Sequence, residues 1–262
     1  MKTYNHLILA LFAVSLIFTS CVSRKKLTYL QYSDRSSRYD ASIGDGRTSV
    51  TPSAYRIMPY DNLYIRVITP DPQWSALFNV DIGSGGLTQE SAALAGYPVD
   101  NDGNIEIPFV GEINVRGKTL PEIKTELDSI FKNYVADAAI TVRLVNNYIS
   151  IIGEVRGPGR YVLTKDRINI FEALSESGDI TEYGMRQRIQ LIRPSPYGPV
   201  IKEFSLSDRS ILNSEFYYIL PNDIIYVMPM KGRTFSLNSS VWSLVLTSLT
   251  SSLAIIAFFR TL

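Results

Sequence analysis

In YRIMPYDNLYIRV (55–67), Leu63, Ile65 and Val67 fall on alternate positions, the period of a half-buried strand, and Pro59 to Asn62 supply the turn that starts it. Residues 105–109 and 112–115 read as two short strands, punctuated by Asp102-Gly103 and Arg116-Gly117 turns. The period then changes. Leu120, Ile123, Leu127, Ile130, Phe131 and Tyr134 recur at three- and four-residue steps, which predicts a helix with one apolar face. Thr119 and Glu122 have the capping-box spacing, and Pro121 suits a first turn. A strand over 139–146 follows, with Ile140, Val142 and Leu144 on one side. Residues 70–98 hold Pro, Gly and small residues without a period and read as an insertion loop.

A second set of elements begins at 148–163, two β-rich runs joined by a turn through Gly157, Pro158 and Gly159. Residues 169–178 predict a helix: Asn169 caps it, Ile170, Phe171 and Leu174 face inward, and Gly178 closes it. Strands near 189–193 and 200–204 lead to LPNDIIYVMP (220–229). There Pro221, Asn222 and Asp223 precede a strand as Pro59, Tyr60 and Asp61 do earlier. Pro-x-Asp commonly starts strands, so the echo does not establish a duplication. The expected fold class is α+β, with a small domain at 55–146 and a second at 147–230.

Both ends are apolar. Residues 7–18 lack any charge, follow Lys2, and lead through Thr19 and Ser20 to Cys21, which reads as an export signal over 1–20. Residues 21–54, rich in Ser, Arg, Asp and Gly, read as a tether, part of which can pack through Tyr29, Leu30 and Tyr32. As a helix, residues 236–259 would reach about 36 Å, enough for a single transmembrane crossing. Ser236, Ser240, Ser243, Thr247 and Thr250 form a hydroxyl stripe along it. Such a stripe suits close packing in a ring of helices around a pore, or an ordinary anchor whose hydroxyls bond their own backbone.

Composition narrows the chemistry. The chain has 262 residues, 45% hydrophobic and 19% charged, with a net charge of +1, which excludes a polytopic membrane protein and gives no sign of a nucleic-acid partner. Removing 1–20 takes away Lys2 and His6, the only histidine, and leaves Cys21, the only thiol, at the new N-terminus. The exported chain then lacks an imidazole base and offers no His/Cys set for zinc, so no catalytic residue, metal ligand or cofactor site is expected. DIGSGG (81–86) lacks the Lys-Ser/Thr of a phosphate-binding loop and reads as a plain loop. Asp100, Asp102, Glu106 and Glu112 could in principle supply a glycosidase pair, but DNDG is first a turn signal.

Two resemblances add to this. Thr19-Ser20-Cys21 resembles the lipobox of bacterial lipoproteins, with Phe18 where Leu is usual, and implies acylation of Cys21. The segments YRIMPYDNLYIRV, VDNDGNIEIPFVGEINVRGKTLPEI, GEVRGPGRYVL and LPNDIIYVMP, in this order, resemble the polysaccharide export family of outer-membrane capsule and exopolysaccharide translocons. The positions that match its motifs are Asp61, Gly103, Pro108, Gly111, Gly117, Gly153, Gly157, Pro158, Gly159 and Asp223. Tyr60 and Asn222 stand where the family usually has Gly. The resemblance implies an export domain followed by a soluble-ligand-binding β-grasp domain, and a homo-oligomeric ring with a helical outer-membrane pore. It also implies a lipid-anchored chain lying mostly in the periplasm. Its partners would be exported polysaccharide, membrane lipid and an inner-membrane co-polymerase or chain-length regulator, and it would have no enzymatic activity. The alternative is a periplasmic scaffold or carbohydrate-binding module anchored in the inner membrane.

Overall fold

The computed structural model describes residues 24–31, 53–79, 88–135, 137–165 and 167–261. The export signal, Cys21 and DIGSGG lie outside the described residues. In chain order the elements are α1 (Arg24–Leu27), β1 (Asn62–Ile68), α2 (Pro72–Phe78), α3 (Gln89–Leu94), β2 (Tyr97–Pro98), β3 (Asn104–Ile107), β4 (Gly111–Asn114), α4 (Leu120–Phe131) and β5 (Ala139–Leu144). They continue with β6 (Tyr148–Gly153), β7 (Gly159–Val162), β8 (Ile168–Asn169), α5 (Ile170–Glu176), β9 (Gly184–Arg193), β10 (Val200–Phe204), β11 (Tyr218–Ile219), β12 (Ile224–Pro229) and α6 (Lys231–Thr261). The class is mixed α and β, as the alternation of periods predicts.

The first unit is a three-stranded antiparallel sheet, β2-β1-β5, with the β3-β4 hairpin and α4 packed around one core. Leu63, Ile65 and Val67 are all buried, so the period-2 reading of β1 holds. Thr119 and Glu122 close a reciprocal capping box, which fixes where α4 starts, and α4 buries Ile123, Leu127 and Phe131 on one face. Each such apolar side chain, fully buried, contributes roughly 1.5–3 kcal/mol. The expected insertion loop is a correction. Residues 70–98 contain α2, capped by Asp71 with Pro72 in the first turn, and α3, whose Thr88–Ser91 box caps it, besides β2. Two helices of 7 and 6 residues are too short to imprint a 3.6-residue period on a sequence.

The second unit is a five-stranded sheet of order β10-β9-β12-β6-β7, in which β12 runs parallel to β6 and the other pairs are antiparallel. Its core holds Ile149, Ile151, Ile189, Leu191, Ile225 and Val227 from the sheet, and Ile170 and Leu174 from α5. Asn169 caps α5 as its sequence predicts, and Gly178 ends it at φ +74°.

The reading of 21–54 as a tether also needs correction over residues 24–31. Leu30 and Gln31 N–H donate to Leu206 and Ser207 O (3.1 and 2.6 Å), and Arg209 Nε donates to Leu30 O (2.9 Å). The Tyr29 hydroxyl donates to Asp179, its ring meets Phe171 edge-on at 5.8 Å, and the Arg186 guanidinium sits 5.0 Å above it. This strap is part of the second unit.

At the other end, α6 runs 31 residues and its first turn is fixed by the Arg233–Glu154 ion pair at 3.0 Å. No helix among the described residues is long and apolar enough to cross a membrane, so the single transmembrane helix expected over 236–259 is not supported. The physical reason is dilution: Ser243, Thr247, Ser248, Thr250, Ser251 and Ser252 alternate with the leucines.

Candidate functional site

The two Pro-x-Asp segments fold into the same turn. Asp61 N–H donates to Met58 O and Asp223 N–H to Leu220 O, both at 3.2 Å. In return each aspartate accepts from the backbone three residues back, Met58 N–H and Leu220 N–H, both at 2.8 Å. The third residue of each turn has positive φ, Tyr60 at 70° and Asn222 at 65°, the geometry of a type II turn with proline second. Glycine adopts that conformation freely, whereas a tyrosine there costs about 1 kcal/mol. Tyr60 is exposed, and among the described residues its hydroxyl meets the exposed Asn101. Tyr60→Gly should therefore raise the thermal midpoint by about 2–4 °C in a melting curve.

The turns meet at the junction of the units. Asp61, 3% exposed, accepts from the Tyr55 hydroxyl (3.0 and 2.9 Å) and from Asn146 Nδ2 (2.7 Å). Asn222 Nδ2 donates across the junction to the Tyr55 hydroxyl at 3.1 Å, and Asn146 Oδ1 accepts from Asn62 N–H at 3.1 Å. Asp223, fully buried, takes Arg193 Nε and Nη2 in a two-pronged pair at 2.9 and 2.7 Å. Burial outweighs that guanidinium and the Leu220 N–H, and Asp223's carboxyl sits above the usual carboxylate range.

Burial, then the Asp61 carboxylate, pushes the Tyr55 phenol well above its ordinary value near 10. The folded state therefore keeps the Tyr55 proton while the unfolded chain loses it, so stability falls as pH rises beyond about 10. Tyr55→Phe should make that alkaline slope shallower in urea titrations, while costing about 1–2 kcal/mol at neutral pH through its lost hydrogen bonds. Tyr29, whose phenol burial also raises, keeps part of the slope in place.

Beside the junction lies a cleft of ≈ 410 Å³, walled by Tyr55, Pro59, Pro196 and Tyr197 and flanked by Arg56, Arg116 and Arg193. Sequence reasoning picked Asp61 and Asp223 as motif positions, but not Tyr55, Asn146 or Arg193. The available signal was the pair of residues at glycine positions, Tyr60 and Asn222.

The other motif residues are spread around this centre. Gly103, Gly111, Gly117 and Gly153 all have positive φ. At Gly103 a Cβ would sit 2.2 Å from Arg116 Cβ, and at Gly153 2.1 Å from Val227 O. Pro108 belongs to the β3–β4 turn, and Gly157 and Pro158 to the β6–β7 turn, where Tyr161's hydroxyl donates to Gly157 O and Gly159 begins β7. None of these lines the junction except Gly117, at the cleft wall. On α6, Thr247 Oγ1 donates to Ser243 O (2.7 Å) and Thr250 Oγ1 to Thr247 O (2.9 Å), so both hydroxyls are satisfied within their own helix. The side chains of Ser236 and Ser240 lie outside those described.

The acidic candidates are turn and surface groups. Asp100 Oδ1 accepts from Asp102 and Asn104 N–H at 2.9 and 2.8 Å, and Glu106 stands opposite Glu112 across the β3-β4 hairpin, both exposed. Asp61 has its lone pairs taken up by the junction. Among the described residues no group of His, Cys, Asp or Glu is placed to hold a metal ion.

Residues 49–145 match the family described as polysaccharide biosynthesis/export protein. The chain is 31% identical over 169 residues to the EPS I polysaccharide export outer membrane protein EpsA of Ralstonia nicotianae, covering 61% of this chain and 43% of that protein. It is 28% identical over 157 residues to the capsule polysaccharide export outer membrane protein CtrA of Neisseria meningitidis serogroup A, covering 59% and 39%. Against the exopolysaccharide production protein ExoF of Rhizobium meliloti it is 24% identical over 152 residues, covering 56% and 34%. The chain thus spans less than half the length of these relatives.

Proposed function

We propose that the chain, whose residues 49–145 match the polysaccharide biosynthesis/export family, is an outer-membrane subunit for export of capsular or extracellular polysaccharide. The observation that carries the reading is this match, which covers the first folded unit from the 58–61 turn through β5. The second unit, with its β6-β7 hairpin, single helix α5 and parallel β6-β12 pair, supports a β-grasp reading of 147–230. The proposed route to the membrane is acylation of Cys21, with several copies sharing the anchoring.

The copies form a ring. Along α6, Leu246, Leu249 and Leu253 recur at three- and four-residue steps and are all more than half exposed, on a face apart from Ser243, Thr247 and Thr250. An unpartnered apolar face of this kind calls for burial, here against the same helix of neighbouring copies. Trp74, Leu77 and Phe109 add an exposed apolar patch on the first unit. The ring surrounds a passage through which polymer is driven by an inner-membrane co-polymerase, and the chain carries no catalysis of its own.

Deleting the chain from its host should abolish polymer at the cell surface and leave it behind in the periplasm; surface polymer at the parental level would overturn the export role. Electron microscopy of detergent-extracted particles addresses the ring separately, and solitary molecules there would overturn the assembly.

A further inference from the structure

We propose that the cleft between the two units binds an acidic sugar residue, such as a uronate, of the passing polymer, with Arg116 holding the carboxylate and Tyr197 and the neighbouring prolines taking the apolar face of the ring. This assignment rests on the export reading above.

The three arginines at the cleft are not equivalent. Arg193 is committed to the buried Asp223 carboxylate and to Tyr218 O at 3.0 Å. Arg56 Nη1 donates to Gly117 O at 2.7 Å and lies 3.8 Å from Glu122, so its charge is shared. The Arg116 side chain has no hydrogen-bond or ion-pair partner among the described residues, yet its path is set. Its Cβ, Cγ and Cδ cross the space where a side chain at Gly103 would be, 2.2 to 3.0 Å from a Cβ there, and its own N–H donates to Gly103 O at 3.1 Å. Gly103, at φ +89°, thus meets two demands, a left-handed backbone and a bare surface under the arginine stem. The result is a positioned cation without an internal anion, and a guanidinium fork matches a carboxylate.

The remaining wall suits a sugar. Tyr197 is fully exposed at the tip of the β9–β10 turn, where Gly198 N–H donates to Ser195 O at 3.0 Å. Pro194 and Pro196 precede it, and with Pro59 and Pro221 they line the same space. Flat apolar surfaces of this kind accept the C–H face of a pyranose, while the ring's hydroxyls stay in water. At ≈ 410 Å³ the space lies at the small end of ligand pockets. One exposed charge pair and one stacking face give weak binding, which suits a polymer that must move on.

Ligand-observed NMR titrations of the full mature chain in detergent test this with two probes, tetragalacturonate and the neutral maltotetraose. The acidic probe should bind in the millimolar range, at least about tenfold tighter than the neutral one, and should weaken as salt is raised. Arg116→Gln should reduce acidic binding about tenfold and leave the neutral probe unchanged, while Arg116→Lys keeps part of it. Tyr197→Ala should weaken both probes; both side chains are exposed, so neither change threatens folding. Equal affinity for the two probes, no binding of the acidic one, or an Arg116→Gln chain that binds as the parent does would overturn the proposal. An Arg116→Gln change that alters oligomeric state instead would also overturn it, by giving the arginine to a subunit contact. These readouts do not depend on export: a deletion strain that still exports polymer removes the export role, whatever the cleft binds.

Discussion

Asp61→Ala should cost the folded chain about 3–5 kcal/mol, read as a lower urea midpoint. The carboxylate is the common acceptor for Met58 N–H, the Tyr55 hydroxyl and Asn146 Nδ2, and removing it strands several donors in a nearly closed space. Each buried donor left unsatisfied costs about 1–3 kcal/mol, and the losses do not add fully because the donors share one partner. Asp61→Asn should fall between, because an amide oxygen replaces only one carboxylate oxygen and its NH₂ faces a donor. Two of the stranded groups, Tyr55 and Asn146, also bond or border Asn222 of the second unit. The variant should therefore become sensitive to protease at the junction near residues 145–148 before the individual units unfold. A variant with unchanged protease resistance there would mean that the two units are held together by something other than this cluster.

Asp223→Ala should be comparably severe, about 3–5 kcal/mol, for a different reason. It leaves Arg193, whose side chain is 17% exposed, as an uncompensated charge inside the second unit. The control is the double variant Asp223→Leu, Arg193→Met, which removes both charges and should recover most of the loss, as buried ion pairs replaced by apolar groups often do. Recovery of less than about 1 kcal/mol would argue that the Leu220 N–H bond, not the ion pair, is what the aspartate supplies. The pH dependence has a definite sign. Asp223's carboxyl is held above the ordinary range, so the unfolded chain releases its proton first, and stability attributable to this group falls as pH rises from about 4. Acid unfolding should accordingly owe nothing to Asp223, and Asp223→Asn should leave the acid limb of the stability curve unimproved.

Long periodic segments were legible in the sequence, because one face of each is buried by a single sheet or helix. β1, α4, β5 and α5 follow from their periods and caps, with Thr119 and Asn169 marking helix starts to the residue. Short helices were not. α2 and α3 rest on caps, Asp71 and Thr88, that lie within a stretch too rich in Gly and small residues for a pattern to emerge. The strap at 24–31 was readable only as aromatic residues in a polar stretch, since its bonding partners, Asp179, Leu206 and Arg209, lie about 150 or more residues away. The same holds for the junction. Asp61 and Asp223 stood out as motif positions, but that Asn222 would reach the Tyr55 hydroxyl depends on how two units dock, which no local spacing encodes. The Thr247 and Thr250 hydroxyls were readable as a stripe; that both turn back onto their own helix is decided by side-chain rotamers.

The docked strap has a consequence for how the molecule is suspended. Two residues, Val22 and Ser23, separate Cys21 from Arg24, the first residue of α1, a leash of at most about 10 Å. With acyl chains at Cys21, the second unit would hang directly beneath the lipid headgroups, with no freedom to swing away, and Arg24, Lys25 and Lys26 would be carried to the same surface. The attitude of the whole particle relative to the bilayer would then follow from Tyr29 and Arg209 gripping eight residues of chain, so a mutation that loosens that grip would let the particle tumble while leaving it attached.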